Sequence, residues 1–258
     1  MKPSPKKTRV SALMATHQGE TACNLEASLL SLENQILKPD QIVLVIDGPI
    51  DDAQTKLINQ FIEKKNDIDF TIISLPKNGG LATALNHGLA ACEGDYIMRM
   101  DSDDLSLPDR LLLEKSYLDA HPKIDLVATW SSEFYDGDED LCLKISPTEH
   151  DAIVQALRWR NIIAHPSILV RKEALMRIGG YRTTVSLLED YDLYVRLILK
   201  GARFHVIPKV LLRVRTNREQ RARRGNLQYF LNECRFRYGC FKSGFLNGRQ
   251  LVISTALY

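Results

Sequence analysis

The strongest constraint on this chain is a rhythm. Four times in the first 120 residues a short apolar segment gives way to a polar stretch and then to a helical pattern. Residues 10–14, 41–46, 70–74 and 95–100 read as strands, short and rich in Val, Ile and Leu. Each is followed by a helix: 22–35, with Leu25, Leu29, Leu32 and Ile36 near helical spacing; 53–64, with Leu57, Ile58, Phe61 and Ile62 on one face; 81–91, starting on the turn Asn78-Gly79-Gly80; and 108–120, with Pro108 as its first residue. Strict strand–helix alternation predicts an α/β fold, a mainly parallel sheet with helices on its faces. No internal repeat is visible.

The second half is less regular. Residues 125–130 and 168–170 read as strands, and 204–207 and 210–214 as two late ones. The run 136–140 (DGDED) is an acidic loop, and Ser146-Pro147-Thr148-Glu149 looks like a capping box opening a helix to Trp159. Gly179-Gly180 marks a turn, 188–200 an amphipathic helix opened by Glu189-Asp190, and 226–241 a basic helix. The change near residue 130 is a change of role within one globule, not a linker.

Charge is unevenly spread. The whole chain carries +2, yet residues 203–258 hold 12 Lys and Arg against two acids, leaving a mildly acidic body with a basic tail. That asymmetry suits an anionic partner: a phosphate-bearing ligand, an anionic lipid surface or nucleic acid. No apolar run is long enough to span a bilayer, and the apolar stretch 10–15 is too short for a signal-peptide core. Five cysteines (Cys23, Cys92, Cys142, Cys234, Cys240) are scattered without metal-type spacing. The expectation is a cytoplasmic protein with idle thiols.

In open parallel sheets, ligands bind beyond the carboxyl ends of the strands. Three polar clusters stand there: Thr16-His17, Asp47, and Asp101-Ser102-Asp103-Asp104. Three carboxylates within four residues repel one another unless a cation or several donors compensate. Hard oxygen ligands suit Mg²⁺ or Mn²⁺ bridging protein and substrate phosphates. The competing explanation, acids favoured by the dipole of the following helix, fits Asp109, but Asp101 lies too far upstream.

These residues carry a family resemblance from about Thr8 to about Arg215. The chain resembles a family 2 glycosyltransferase of the GT-A fold, a Rossmann-like twisted sheet with an acceptor-side C-terminal region. Val45-Ile46-Asp47-Gly48 is similar to the family's strand-end Asp that reads the nucleotide base. Asn78-Gly79-Gly80-Leu81 with Ala84-Leu85-Asn86-His87-Gly88 is similar to its Asn-x-Gly-Leu…Asn-x-Gly segment. Arg99-Met100-Asp101-Ser102-Asp103-Asp104 is similar to its Asp-x-Asp metal motif, and Leu188-Glu189-Asp190-Tyr191-Asp192-Leu193 to the block that carries its catalytic base. Among subgroups, IDGPI, GLATALNHGL and RMDSDD look most like bacterial exopolysaccharide and O-antigen enzymes of the amylovoran-biosynthesis type.

The resemblance implies a GT-A domain over 1–215, with a nucleotide-binding half at about 8–130 and an acceptor half at about 131–215, then a basic, mainly helical extension over 216–258. It implies a non-processive, inverting transfer of one sugar from a nucleotide-sugar, UDP by family habit, to a glycan acceptor linked to a lipid diphosphate. Thr16, Glu20, Asp47, Lys77, Asn78 and Gly80 fall to the donor, with Asp101 on its ribose or sugar, directly or through the metal. Asp103 falls as principal metal ligand, with Asp101 and Asp104 beside it, for Mn²⁺ or Mg²⁺. Asp190 falls as general base, with Glu189 as the runner-up or a group orienting the acceptor, and His165 and Trp130 on the acceptor side. Arg213, Arg215, Arg221, Arg223 and Arg224 would close over the diphosphate or meet anionic lipid on the inner face of a membrane.

The chain also departs from the pattern. Gly48 follows Asp47 where many relatives have a second acid, and Pro49 stands where Ser is common. Gln220-Arg221-Ala222-Arg223-Arg224 lacks the Trp of the processive synthases' Gln-x-x-Arg-Trp block. Rival readings fit less. A HAD-type phosphatase wants Thr or Val two residues after the second Asp, where Leu105 stands, and a sugar-nucleotide pyrophosphorylase wants a Gly-rich loop that Thr16-His17-Gln18-Gly19 is not. An inactive scaffold or a nucleic-acid module using the basic tail, with Tyr229, Phe230, Phe236, Tyr238 and Phe241 among its Arg residues, is the remaining alternative.

Overall fold

The computed structural model of the protein describes residues 8–64, 67–135, 140–185, 187–216 and 227–256. Among the described residues nine strands form a single sheet: β1 (Val10–Thr16), β2 (Gln41–Asp47), β3 (Asp69–Leu75), β4 (Tyr96–Arg99), β5 (Leu105–Ser106), β6 (Leu126–Phe134), β7 (Asp140–Lys144), β8 (Ile168–Arg171) and β9 (Phe204–Arg215). Among the described residues the helices are α1 (Ala22–Glu33), α2 (Asp52–Glu63), α3 (Leu81–Ala91), α4 (Arg110–Ala120), α5 (His150–Leu157), α6 (Lys172–Arg177), α7 (Glu189–Leu199), α8 (Leu227–Lys242) and α9 (Gly248–Ala256), with a 3₁₀ turn at His165–Ser167.

Strand order is β3-β2-β1-β4-β8-β6-β9-β5, with β7 on β6. The first four strands are mutually parallel, so Thr16, Asp47 and Arg99 all end on one rim. β8 runs antiparallel between β4 and β6. Its start, with the 3₁₀ turn, therefore abuts the end of β4.

Side chains of a strand alternate between faces, and here they feed two cores. Val10, Ala12 and Met14 of β1 meet Leu25 and Leu29 of α1, Ile58 and Phe61 of α2 and Leu111 of α4. Leu13 faces the other way, with Leu85 of α3, Leu157 of α5 and Leu193 and Leu197 of α7. Phe236 and Cys240 of α8 join that second core, and Phe236 lies 4.7 Å from Tyr191 between ring centroids. At least one tail aromatic is thus spent on packing, while Tyr238 and Phe241 stay exposed.

The structure corrects several local expectations. α5 starts at His150 with Glu149 as an N-cap making no side-chain cap bond, so the capping box from Ser146 does not form. The Ser146 carbonyl instead accepts from the Trp130 indole N–H at 3.0 Å. Pro108 lies in the turn before α4, whose helical run begins at Arg110. The two late strands are one, β9, with Ile207 opposite Thr129 and Val210 opposite Trp130. The two residues between them bulge out, and Pro208, having no N–H, is tolerated there. β5, β7 and α6 were not expected, and α9 falls within the extension expected to be mainly helical. Most of the acidic loop, 136–139, and the Gln220–Arg224 segment lie outside the described residues.

Candidate active site

Asp101, Asp103 and Asp104 follow β4 directly, and each offers a carboxylate oxygen within 4.8 Å of the others. Their backbone is fixed from three sides. The Ser28 hydroxyl of α1 donates to the Asp101 carbonyl at 2.8 Å, and the buried Arg110 guanidinium to the Arg99 carbonyl at 3.1 Å. On β9, Arg215 donates its backbone N–H to Asp104 Oδ1 at 2.8 Å and its Nε to the Asp103 carbonyl at 2.9 Å.

The electrostatics are those of a site short of positive charge. Burial, then the charges of Asp101 and Glu20, push the Asp103 carboxyl up to about 7. Burial, Asp101 and Asp103 raise Asp104 well above the ordinary carboxylate range. Asp104 is 1% exposed and its Oδ2 is buried without a hydrogen-bond partner among the described residues. The Arg99 guanidinium, 1% exposed, forms an ion pair with Asp101 but is a single charge. An orphaned carboxylate oxygen beside two others fits a hard divalent cation.

The residues expected on the donor side line the same rim. Asp47 ends β2, and its two oxygens accept the N–H groups of Gly79 and Gly80 at 2.7 and 2.9 Å. It clamps the loop that opens α3. Gly48 has φ +89°, and a Cβ there would lie 2.6 Å from the Asn78 nitrogen. A second acid after Asp47 would therefore collide with this loop. Gly80 has φ +84° and is the N-cap of α3; Lys77 and Asn78 beside it are exposed. Thr16 is buried, 3.5 Å from the Gln54 amide nitrogen, and Gln54 is itself held in the capping box of α2. The Glu20 carboxylate accepts from Thr21 N–H and the Asn24 amide at 2.7 and 2.8 Å, within electrostatic reach of Asp103.

Across the rim, Asp190 occupies the first turn of α7. Asn161 donates to its Oδ2 at 2.7 Å, and Tyr191 N–H to its Oδ1 at 2.7 Å. Glu189 stands one residue earlier, partly buried. Two buried phenols, Tyr181 and Tyr194, each feel the charges of Asp190, Asp101 and Arg99. The Tyr181 hydroxyl is 2.9 Å from His165 Nε2. Burial and the Arg99 charge hold His165 well below its ordinary pKa, so it is neutral. His165 is thus placed among Tyr181 and Arg99, 8% exposed, and Trp130 is partly buried on β6, bonded to Ser146.

Sequence reasoning missed Asn161, Tyr181 and the role of Asn86. The Asn86 amide donates to the Tyr181 carbonyl and accepts the Tyr181 N–H, both at 2.8 Å, clamping the segment that leads to Asp190. Gly88, two residues on, lets α3 lie flat on the sheet; a Cβ there would meet Leu13 at 2.4 Å. The Asn-x-Gly spacing was the available signal for Asn86, while nothing near Asn161 marks it.

The family model described as glycosyl transferase family 2 matches residues 11–179. The amylovoran biosynthesis glycosyltransferase AmsE of Erwinia amylovora is 32% identical over 241 residues, covering 92% of this chain and 89% of that one. The Escherichia coli UDP-Gal:alpha-D-GlcNAc-diphosphoundecaprenol beta-1,3-galactosyltransferase is 27% identical, covering 95% and 88%. The structure of S. aureus TarS 1–349 in complex with UDP-GlcNAc superposes with a TM-score of 0.71 at 18% identity, covering 94% of this chain and 69% of that one. Of the longer TarS chain, this protein covers 41%. The chain belongs to glycosyl transferase family 2 and has a GT-A-like fold.

Proposed function

We propose that this family 2 glycosyltransferase moves one hexose from a UDP-sugar to a glycan carried on a lipid diphosphate, with inversion, in surface polysaccharide synthesis. The observation that carries it is the convergence of Asp101, Asp103, Asp104 and Glu20 on one rim, with the anchored Asp190 across from them. Asp103, Asp101 and Asp104 would hold Mn²⁺ or Mg²⁺, which when bound neutralises charge on the leaving diphosphate. Thr16, Asp47 and the loop Asp47 clamps, with Lys77, Asn78 and Gly80, bind the nucleotide, and Glu20 borders the metal ligands.

Asp190 takes the proton from the acceptor hydroxyl, whose oxygen attacks the sugar's anomeric carbon from the face opposite the diphosphate. The new C–O bond forms as the old one breaks, and the diphosphate leaves with the electron pair. Asn161 holds Asp190 in place, and Glu189 orients the acceptor. His165 and Arg99 act behind the site, through Tyr181 and Asp101. No helix among the described residues is long and apolar enough to cross a membrane. The exposed Leu231, Tyr238 and Phe241 of α8 and the basic tail would hold the protein at an anionic cytoplasmic membrane face.

Calorimetric titration of UDP, GDP and dTDP, with Mn²⁺ and then with EDTA, tests the donor half. Binding of UDP in the metal buffer alone is expected. If the folded protein binds none of the three, the donor reading fails and the scaffold or nucleic-acid alternative takes its place.

A further inference from the structure

A cavity of about 470 Å³ lies between α7, α8 and the segment from Arg177 to Val185. It is not the nucleotide site. On α7 it is walled by Asp192, Val195, Arg196 and Leu199, and two residues of a helix are turned about 200° apart, so it opens away from the side of α7 that Asp190 faces. Its chemistry is double. Val195 and Phe236 are buried apolar wall, and Leu199 at the edge is 42% exposed. Against these stand five cationic side chains, among them Arg182, Lys200 and Arg235, and one acid, Asp192.

The acid does not settle the charge. Its two oxygens are already taken by Arg182 at 3.2 Å and Arg196 at 2.6 Å, and Arg177 is paired with Asp125. Arg196 is 9% exposed, and its Nη2 is buried without a hydrogen-bond partner among the described residues. A buried guanidinium nitrogen left unpaired marks a place for an acceptor atom that the chain itself does not supply. A small polar anion would leave the apolar wall unused, and a neutral lipid would leave the cations unmet.

We propose that this cavity binds a phosphate-headed aliphatic lipid, its phosphate or diphosphate among Arg196, Arg182, Lys200 and Arg235 and its chain along Val195, Leu199 and Phe236. Two sources share that chemistry: the lipid-diphosphate end of the acceptor, which rests on the function proposed above, and a phospholipid of the membrane, which does not. The test titrates farnesyl diphosphate, farnesol, inorganic pyrophosphate and dihexanoyl phosphatidylglycerol into the full-length protein in EDTA. The same titrations are run on Lys200→Glu/Arg235→Glu and on the milder Lys200→Ala/Arg235→Ala.

The expected result is that a phosphate-headed lipid binds while farnesol and pyrophosphate bind far more weakly. Binding should fall at least about tenfold in both double variants, the loss of one charge-assisted contact. Farnesyl diphosphate binding more tightly than the phosphatidylglycerol assigns the cavity to the acceptor; the reverse assigns it to the membrane. Lipid binding that is absent from the wild type, or unchanged in both variants, overturns the proposal. UDP titrated with Mn²⁺ in parallel separates the two failures, because its loss in the wild type indicts the donor reading and leaves the cavity result standing.

Discussion

Replacing Asn86 by Ala removes one side chain and two hydrogen bonds, both 2.8 Å, that tie α3 to the Tyr181 peptide. Each bond is worth about 1 kcal/mol net, and a buried group left unpaired costs about 1–3 kcal/mol. Tyr181 is only 4% exposed, so water replaces the lost amide poorly. The expected destabilisation is about 2–4 kcal/mol. At about 2–4 °C per kcal/mol for a chain of this size, the melting temperature followed by circular dichroism should fall by about 4–16 °C. Turnover should fall at least about tenfold, because the segment that delivers Asp190 loses its anchor, whereas UDP binding with Mn²⁺ should hold.

A cycle sharpens the reasoning. Gly180 has φ +70°, and a Cβ there would sit 2.5 Å from Asn86 Oδ1. Gly180→Ala in the wild type suffers both the collision and the strained backbone; in the Asn86→Ala background it suffers the strain alone, about 1 kcal/mol. The two changes should therefore couple. Additivity within about 0.5 kcal/mol, or an Asn86→Ala protein that melts like the wild type, would refute the clamp.

Asp190→Asn should lower turnover by about 10²–10⁴-fold, measured with radiolabelled UDP-sugar and a lipid-diphosphate acceptor, and leave metal-dependent UDP binding intact; near-normal turnover sinks the assignment. Stability should depend on pH and metal together. Asp103 is raised from an ordinary 3.8 to about 7 and Asp104 is raised further than is ordinary, so the folded state holds protons that the unfolded chain has already released. These two carboxyls should therefore lower the melting temperature of the metal-free protein as pH rises above about 4, against the opposite contribution of the buried, neutral His165, and Mn²⁺ should raise melting more at pH 8 than at pH 5. The buried Glu114, also raised to about 7 by burial, adds a share of the slope that Mn²⁺ leaves untouched. Equal Mn²⁺ shifts at both pH values would contradict the ligand set.

The half of the fold built from β1–β4 was legible because each strand is a short, mainly apolar run and each following helix keeps its period. What escaped was set by contacts distant in sequence. β5 is two residues long and exists because Leu105 and Ser106 pair with Arg213 and Leu212. Pro208 made one strand look like two, since the sequence shows the break but not the bulge that absorbs it. Ser146 had a capping signature, yet its carbonyl was claimed by Trp130. In the site, the three clustered Asp residues announced themselves by their mutual repulsion, whereas Asn161 and Tyr181 matter through partners 29, 16 and 95 residues away.

The parallel rim also bears on how such a chain can change over generations. In the function proposed above, residues 16–20, 47–51, 77–81 and 101–104 would face the donor, and residues 161–185 and 187–190 would supply the other wall. The two stretches are joined through the sheet, where β8 pairs with β4, and through a core in which Leu13 and Leu85 pack with Ile163, Ile168 and Leu175; Asn86 on Tyr181 and, from further along the chain, Arg215 on the acid loop add side-chain joints. A recombination event between residues 135 and 160 would exchange the second wall while inheriting the first intact. New linkages could then arise by shuffling, with viability decided by whether β8 still pairs with β4 and the shared core still packs.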